Sequence, residues 1–466
     1  MLGEAHHKQF TETLLLCVKA LTDHSNNGTV SSSSMLCIAE VVSAAKTHSI
    51  EHLSLFMPLF VDQLQYNTIT QHDVLLLATI TSLHKVIEVL PLFLSPYLQD
   101  IFTQVCIISS LIETNTEARK PVVAQKLKLI SGTLATATPT RTFLPVVEKS
   151  FVAMEDKMAS CAKSAMSMLK EHIVAMSRED MTTFSQDLLK FFFVCFDIRV
   201  THTELGEDEL DQVEGCVIEA FVTLVFKLSE AQFKPMLLQI YSWATQEDVS
   251  HDRILFFYRL CDSLAEKLKS LFTLFAGHIL KHSAQMLDAN NKSKSKCRFF
   301  GKGKLARTKS CNLVLYITGC LQKTFAHDTE GFMDKERFDV VMQPLVDQLE
   351  NELGKPSVCE DRAVNYIVPC ITSLAAAARD DSLWKDLNYQ ILLKTRHQNP
   401  KVRIWALAAV DGFHKQLGED FTQLVPEAIP FLAELMEDES DEVEKYTQKV
   451  LAAMEVSVGE NLQEYF

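Results

Sequence analysis

The sequence predicts an all-α fold, an α-solenoid of stacked helix pairs, on three observations. Glycine and proline, which punctuate turns and strands, number only 14 and 13 among 466 residues, and this scarcity favours long helices. Apolar residues recur at steps of three and four, the period of an amphipathic helix. Near the C-terminus one pattern occurs twice, because Val402 and Val443 are 41 residues apart, and so are Gly418 and Gly459.

A period near 40 with two helices per unit is typical of HEAT and armadillo repeats. We therefore expect HEAT-like helix pairs in three segments, irregular in the middle and regular toward the C-terminus. Residues 1–177 are predicted to form N-terminal HEAT-like repeats. Residues 178–335 form an irregular helical domain with a basic loop at 290–309. Residues 336–466 form regular repeats, ending in a terminal cap from Gly459 to Phe466.

The N-terminal segment begins with a predicted helix over residues 8–22, because its apolar side chains form one stripe. Residues 23–34 are rich in Ser, Asn and Gly, so they are predicted to form a loop before a helix over residues 35–47. Helix pairs then follow to residue 176, with prolines at the joints, where a missing N–H costs least.

In the middle segment, residues 191–196 make the helix predicted from Arg178 apolar all round, so we expect it to be buried on most sides. An acidic loop over residues 204–209 follows. Residues 290–309 contain eight Lys or Arg and no acid, and form the one low-complexity stretch.

The C-terminal segment alternates predicted first and second helices. The arginines Arg253, Arg362 and Arg403 each fall near the start of a second helix, as in a feature common to HEAT repeats that ties neighbouring turns together. We predict that these three are structural. Pro426 and Pro430 interrupt one first helix and predict a kink there. The first helices are 343–352, 383–396 and 421–437, and the second are 361–379, 400–417 and 441–456.

The composition limits the possible functions. A net charge of −15 argues against coating nucleic acid along the whole chain, but allows a local basic patch. Twelve cysteines without a Cys-x-x-Cys pair favour buried, reduced thiols in an intracellular protein. The first ten residues lack the apolar core of a signal peptide, and we expect no apolar run of membrane-spanning length and no membrane partner.

No catalytic constellation is found in the sequence, so we expect no enzyme, no cofactor, no metal and no small-molecule substrate. The run Gly301 to Lys304 lacks the spacing of a phosphate-binding loop. His6 and His7 would project about 100° apart on a helix. A thiol site formed by Cys311, Cys320 and His327 rests on residue types alone.

The basic segment is the best functional candidate. Lysines and arginines would neutralise phosphates, and its two phenylalanines would stack on bases or dock in a groove, which indicates an RNA contact or a nuclear-localisation signal. A solvated inter-helix loop is the alternative. For the acidic stretches 204–214 and 434–444, a contact with basic partners and a solvated edge of the solenoid are the two alternatives. The candidate residues are Lys292, Lys294, Lys296, Arg298, Phe299, Phe300, Lys302, Lys304, Arg307 and Lys309.

Four stretches near the C-terminus carry a resemblance to one protein family: Pro426–Leu435, Glu439–Glu444, Leu451 with Gly459–Leu462, and Tyr465–Phe466. They resemble the end of the very large HEAT-repeat subunit of the small-subunit processome, in its transcription-associated U3 snoRNP subcomplex. The helical middle from about Met181 to Asn351, with its basic insertion, is similar to that family's characteristic C-terminal domain.

The resemblance implies a non-enzymatic nucleolar scaffold for ribosome biogenesis. Such a scaffold acts in pre-rRNA processing toward 18S rRNA and supports transcription by RNA polymerase I. It implies a location in the nucleus and nucleolus, other processome subunits as partners, and pre-rRNA or U3 snoRNA at the basic loop. Because family members are much longer, we expect a fragment, a partial gene model or a short isoform. Without the resemblance, a HEAT-repeat nuclear transport receptor or another protein-interaction scaffold is the alternative.

Overall fold

The computed structural model describes residues 6–24, 27–65, 72–114, 121–153, 158–295 and 299–458. These residues form helices and turns without a strand, and the longer helices, here α1 to α20, follow one another as ten pairs. The chain divides into two compact units, Met1–Met236 and Leu237–Phe466. The all-α solenoid predicted from the sequence is confirmed.

The first unit contains five helix pairs, and its boundary falls within the next helix, α11 (Glu230–Thr245). The paired helices are α1 (His7–Asp23), α2 (Gly28–Ala45), α3 (Leu53–Gln65), α4 (Asp73–Val89), α5 (Leu98–Thr114), α6 (Pro121–Ala137), α7 (Thr140–Ala153), α8 (Met158–Ala175), α9 (Arg178–Phe196) and α10 (Glu207–Val225).

The second unit continues the alternation after α11. One helix, α16, consists of the consecutive segments Pro356–Arg362, Ala363–Ile367 and Val368–Ala378, of which the central one is π-helical. The other helices are α12 (Asp252–Leu268), α13 (Leu280–Ala289), α14 (Lys304–Ala326), α15 (Lys335–Val346), α17 (Asp381–Lys394), α18 (Pro400–Leu417), α19 (Val425–Met436) and α20 (Asp441–Val458).

Each unit has two layers of helices. In the first unit, α2, α4, α6, α8 and α10 pack successively in one layer, and α1, α3, α5, α7 and α9 form the other. In the second unit, α12, α14, α16, α18 and α20 form one layer, and α13, α15, α17 and α19 the other. A single amphipathic helix cannot bury its apolar stripe alone, so each pair is covered by the next.

The serine-rich stretch before Met35 is helical, so the loop predicted over residues 23–34 is wrong at its C-terminal end. Helix α2 starts at Gly28, because the side chain of Asn27 caps it by accepting from the N–H groups of Thr29 and Val30. Ser32 donates its hydroxyl to the carbonyl of Gly28 at 2.6 Å, so the hydroxyl is satisfied inside the helix. Small, locally bonded serines therefore fit a packed helix that composition alone assigns to a loop.

The helical stretch Gly28–Gln65 meets the length and composition criterion of a membrane span, against the expectation from sequence. Its most apolar 18-residue window has a mean hydropathy of 1.2, and half of that window is buried inside the protein. The buried Met35 accepts a hydrogen bond from Thr79 of α4 at 3.7 Å. Core helices of soluble proteins meet the same criterion, so the stretch is weak evidence for a membrane contact.

The phenylalanine-rich end of α9 is largely buried. Phe191, Phe192 and Phe196 are fully buried, and the last two pack edge-to-face on Phe221 of α10 at 5.2 and 5.4 Å between ring centroids. Val194, by contrast, is 47 % exposed. The helix is therefore buried on most sides but keeps one solvent-facing strip.

Irregular helix geometry also occurs in the C-terminal part, within and beside otherwise regular pairs. Besides the π-helical segment of α16, a 3₁₀ segment over Gly418–Leu424 precedes α19. Pro426 therefore lies in the first turn of α19, where its missing N–H leaves no bond unmade, and only Pro430 is internal. The three-segment division of the chain remains a proposal, and the proposed cap from Gly459 to Phe466 lies outside the described residues.

Replacement of Trp405 with alanine should lower the free energy of unfolding by roughly 3–5 kcal/mol, as for other large-to-small core changes. Trp405 lies on α18 and is 5 % exposed, among fully buried neighbours of the same helix, so the truncation leaves a cavity. Urea denaturation followed by circular dichroism measures the change. Val456→Ala is the control, since Val456 is 85 % exposed. Equal midpoints for both variants would contradict the packing of α18.

Candidate nucleic-acid interface

The basic segment, residues 290–309, starts in the turn after α13 and ends inside α14. The predicted loop is therefore too long, because residues 304–309 are mostly good helix formers and open α14. Lys296 and Arg298 lie outside the described residues. The remaining candidates are Lys292 and Lys294 in the turn, Phe299, Phe300 and Lys302 before α14, and Lys304, Arg307 and Lys309 within it.

Lys294 lies at the surface, but its ammonium group is held by two carboxylates. Its ammonium group lies 2.7 Å from Asp288 and 2.5 Å from Asp347, and Asp347 also binds Lys394 of α17 at 2.6 Å. Burial lowers the pKa of Lys294, but hydrogen bonds to the two carboxylates and their charges raise it above its usual value. Lys294 is thus a structural cation that joins two turns.

Asp347 is the centre of this ion-pair group, and its side chain is 8 % exposed. Burial raises the pKa of its carboxyl, but hydrogen bonds from Lys294 and Lys394, together with their charges, hold it below the usual value. Gln343 donates a further hydrogen bond to it at 2.8 Å. The carboxylate is therefore ionised and fully engaged in the fold.

A buried amide network fixes the start of the segment to the turn after α15. Asn291 donates to the backbone carbonyl of Asp347 at 2.8 Å, and Asn351 donates to the carbonyl of Asn290 at 3.0 Å. The N–H of Lys292 donates to the side chain of Asn351 at 3.1 Å. Because buried amides are costly unless paired, these bonds select one position for the turn.

The other end of the segment is held by the start of α12. Lys309 binds both carboxylate oxygens of Asp252, at 2.7 and 2.8 Å. The ring of His251 stacks on Phe299 with 4.1 Å between centroids, and its Nδ1 lies 2.6 Å from the Phe299 carbonyl. Phe300 packs edge-on against Phe299 at 5.0 Å. The two phenylalanines therefore dock on the protein itself.

Four exposed candidate cations lie outside these ion pairs: Lys292, Lys302, Lys304 and Arg307. Lys302 lies between Gly301 and Gly303, whose φ angles of +93° and +117° favour glycine. No atom lies within 4 Å of the position that a Cβ would take at either glycine, so this turn faces open space. Arg307 donates through Nε to the carbonyl of Gly303 at 3.4 Å, and the residue is exposed.

Arg362, one of the three predicted structural arginines, is 1 % exposed in α16. Its guanidinium donates to the backbone carbonyls of Leu353, at 2.8 Å, and Asn351, and lies 3.8 Å from the thiol of Cys311. Arg362 thereby joins the turn after α15, which contains Asn351, to α14. The arrangement binds a buried cation through carbonyl dipoles of the turn.

Of the other two arginines, Arg403 contacts turns and Arg253 contacts Trp243 of α11. Arg403 donates to the carbonyls of His397 and Gln398, and lies 2.7 Å from Asp438 in the turn before α20. Arg253 lies over the ring of Trp243, 4.9 Å from its centroid. Of the three, Arg403 makes a direct ion pair to the following turn.

The acidic stretch 204–214 serves the interior of the first unit. Arg199 is 4 % exposed and binds Glu207 at 2.6 Å, Glu214 at 2.8 Å and Asp211 at 3.2 Å. Burial lowers the pKa of Arg199, but the bonds and charges of Glu214 and Glu207 raise it well above its usual value. These acids are counter-charges to a buried arginine, and so are not free for a basic partner.

The described residues hold no group of three His, Cys, Asp or Glu placed to bind a metal. In the hypothetical thiol site, the thiol of Cys320 is buried, and burial raises its pKa, the opposite of an activated nucleophile. A cleft of about 520 Å³ between α5, α6 and α8 contains Lys163, which is already paired with Glu113 at 2.8 Å. None of these places supplies a reactive group.

The sequence interpretation missed Arg199 and Asp347. Both are charged residues within predicted helices, Arg199 at the end of the helix from Arg178 and Asp347 in the helix over 343–352. Their partners are distant in sequence or share the same acidic run. The amide pairs Asn290-Asn291 and Asn351 were a usable signal, since asparagines at helix ends bind backbone groups. The groups that these asparagines bind in the opposite turn could be identified only from the folded structure.

Comparison with known proteins gives one consistent result along the chain. A family model described as the BP28CT (NUC211) domain matches residues 180–333. HEAT repeat-containing protein 1 of Homo sapiens is 40% identical over 466 residues, which is 100% of this chain and 22% of that protein. The Danio rerio protein of the same name is 39% identical over 476 residues, again 100% of this chain and 22% of that protein.

A fungal relative carries a different name. U3 small nucleolar RNA-associated protein 10 of Schizosaccharomyces pombe is 26% identical over 402 residues, which is 84% of this chain and 22% of that protein. The chain therefore spans about a fifth of the length of these relatives. Among solved structures, karyopherin Kap121p bound to the SUMO protease Ulp1p aligns with 11% identity and a TM-score of 0.33 over 100% of this chain and 50% of that chain. That score is too low to support an inference about function.

Asp347→Asn should lower the free energy of unfolding by about 1–3 kcal/mol at pH 7, because two lysines lose their shared anion. The folded-state pKa of Asp347 lies below the unfolded value of about 3.9. Its contribution is therefore complete above that pH and is lost as the pH falls through the folded-state pKa. Urea denaturation at several pH values from 7 downward should show the difference between the two proteins shrinking below about pH 4.

Asp288→Asn is the matched control, since Asp288 binds Lys294 alone and is 43 % exposed, and it should cost less than about 1 kcal/mol. A stability difference for Asp347→Asn that is independent of pH would show that Asp347 does not act through its charge.

Proposed function

The chain is a homologue of HEAT repeat-containing protein 1 over its whole length and carries the BP28CT (NUC211) domain, and from this premise we propose that it is a ribosome-biogenesis scaffold. The observation that carries the proposal is this match along the whole of the given chain, which is 22% of the relative's length, together with the fungal relative named for its association with U3 small nucleolar RNA. The scaffold would act without catalysis, in pre-rRNA processing toward 18S rRNA within the small-subunit processome. It would also support transcription by RNA polymerase I.

The form of the protein supports a scaffolding role. Stacked helix pairs present long, repetitive surfaces on which several partners can bind side by side. The buried titratable groups Asp347 and Arg199 are paired within the fold, and burial raises the pKa of the Cys320 thiol. The repetitive surface of stacked helices is therefore better suited to binding partners than to catalysis.

The proposed location is the nucleus, and within it the nucleolus, where U3 RNA and pre-rRNA are found. The proposed partners are other processome subunits, with pre-rRNA or U3 snoRNA as an RNA partner. No membrane, cofactor or small-molecule substrate is part of the proposal.

Expression of the tagged chain in cells, followed by immunoprecipitation and RNA quantification, tests the function. We expect nucleolar fluorescence and enrichment of U3 snoRNA over another small nucleolar RNA of the same class. A helical-repeat protein of similar size and net charge serves as the control. Retention in the cytoplasm without U3 enrichment would contradict the proposal. Capture of the chain by a small GTPase only in its GTP-bound state would favour a transport receptor instead.

A further inference from the structure

The basic segment is unusual in a chain of net charge −15, because it contains eight Lys or Arg and no acid between Asn290 and Lys309. Such a stretch repels itself unless its charges are compensated by the fold or by a ligand. Within the described residues, carboxylates of the fold pair with some of these cations, and the other cations have no such compensation. The division between the two sets indicates what the segment binds.

Lys294 and Lys309 form the compensated set. Lys294 binds Asp288 and Asp347, and Lys309 binds Asp252, at distances of 2.5–2.8 Å. The same contacts, with the amide network and the His251–Phe299 stack, fix both ends of the segment on the protein. These two lysines are positioning residues, and the segment is held in place before any ligand arrives.

The uncompensated set is the basic surface, defined here as Lys292, Lys302, Lys304 and Arg307. All four residues are exposed. Lys304 and Arg307 are three residues apart in α14, so they share one face of the helix. Lys302 precedes them in the open turn between the two glycines, where bare backbone admits a large ligand.

We propose that the basic surface binds the phosphodiester backbone of RNA without reading its sequence. Exposed lysines and arginines on a held segment are suited to neutralise phosphates. Base stacking needs a free aromatic face, but Phe299 is covered by His251 and Phe300 packs edge-on against both rings. The identity of the RNA rests on the function proposed above, whereas the chemistry of the contact rests on these side chains.

An acidic protein partner fits the surface less well. Protein interfaces are organised around a buried cluster of aromatic or aliphatic anchors with charges at the rim. Among the four cations, Leu305 is the large apolar side chain exposed in α14, at 51 %. A single leucine with cations on both sides lacks such a centre, whereas a polyanion needs none.

Fluorescence anisotropy with a labelled RNA of about 25 nucleotides, titrated at several salt concentrations, tests the proposal. Removal of three cations in Lys302→Gln/Lys304→Gln/Arg307→Gln should lower the slope of log affinity against log salt by about 2, at roughly 0.7 per phosphate contact on a single strand. Affinity at about 0.1 M salt should fall by about a hundredfold. RNAs of unrelated sequence should bind alike.

Two control variants separate position from net charge. Lys267→Gln/Lys281→Gln/Lys385→Gln removes three exposed lysines elsewhere in the second unit, and should leave the slope unchanged. Lys294→Gln removes a cation of the same segment that is already paired with two carboxylates. It should lower the melting temperature without changing the slope.

The proposal is overturned if the triple variant at the basic surface keeps the wild-type affinity and slope while folded by circular dichroism. It is also overturned if wild-type protein binds a polyglutamate peptide but not RNA, since the surface would then serve a protein. If the triple variant unfolds, Lys302→Gln alone, in the open turn, should lower the slope by about 0.7. DNA of the same sequence shows whether the contact needs more than phosphate, and equal binding supports a pure backbone contact.

Failure here would not remove the scaffold function, because the immunoprecipitation described above reports association through any surface. Conversely, phosphate-dependent RNA binding in vitro without U3 enrichment in cells would support the basic surface and contradict the processome assignment.

Discussion

Each helix pair has an apolar stripe that only the next pair can cover, and this constraint organises the chain. The layer formed by α12, α14, α16, α18 and α20 is one consequence, since each helix packs on its neighbour in the series. Gly412 in α18 shows how close the contact is, because a Cβ there would lie 2.6 Å from the hydroxyl oxygen of Thr372. Stability in such a stack is a sum of neighbouring contacts, so the turns have to be placed accurately for the helices to meet.

Charged and amide side chains place those turns. Arg199, Asp347 and Arg362 are each buried, and they are bonded to three acids, to two lysines and to backbone carbonyls, respectively. A buried charge is tolerated only when its partners replace water. Pairing also separates the cations of the basic segment, because Lys294 and Lys309 are already bound to carboxylates whereas the basic surface is open to a polyanion.

Periodicity in the sequence predicted the two-layer helical fold, and α18 occupies the predicted residues 400–417. Composition was a poorer guide where small polar residues bind locally, as at Ser32, and where basic residues favour helix, as in residues 304–309. Pairing between distant turns, such as Lys294 with Asp347, leaves no local signal. The sequence therefore identified the basic segment, but not which of its cations face solvent.

The most direct test of the account is photo-cross-linking of the chain to RNA containing the U3 sequence, followed by mass spectrometry of the attached peptides. The exposed cations of the basic surface lie on a segment held in place by Lys294 and Lys309, and this predicts cross-links concentrated on peptides that contain Lys292 and residues 300–307. Cross-links confined to other helices, with none on these peptides, would contradict it.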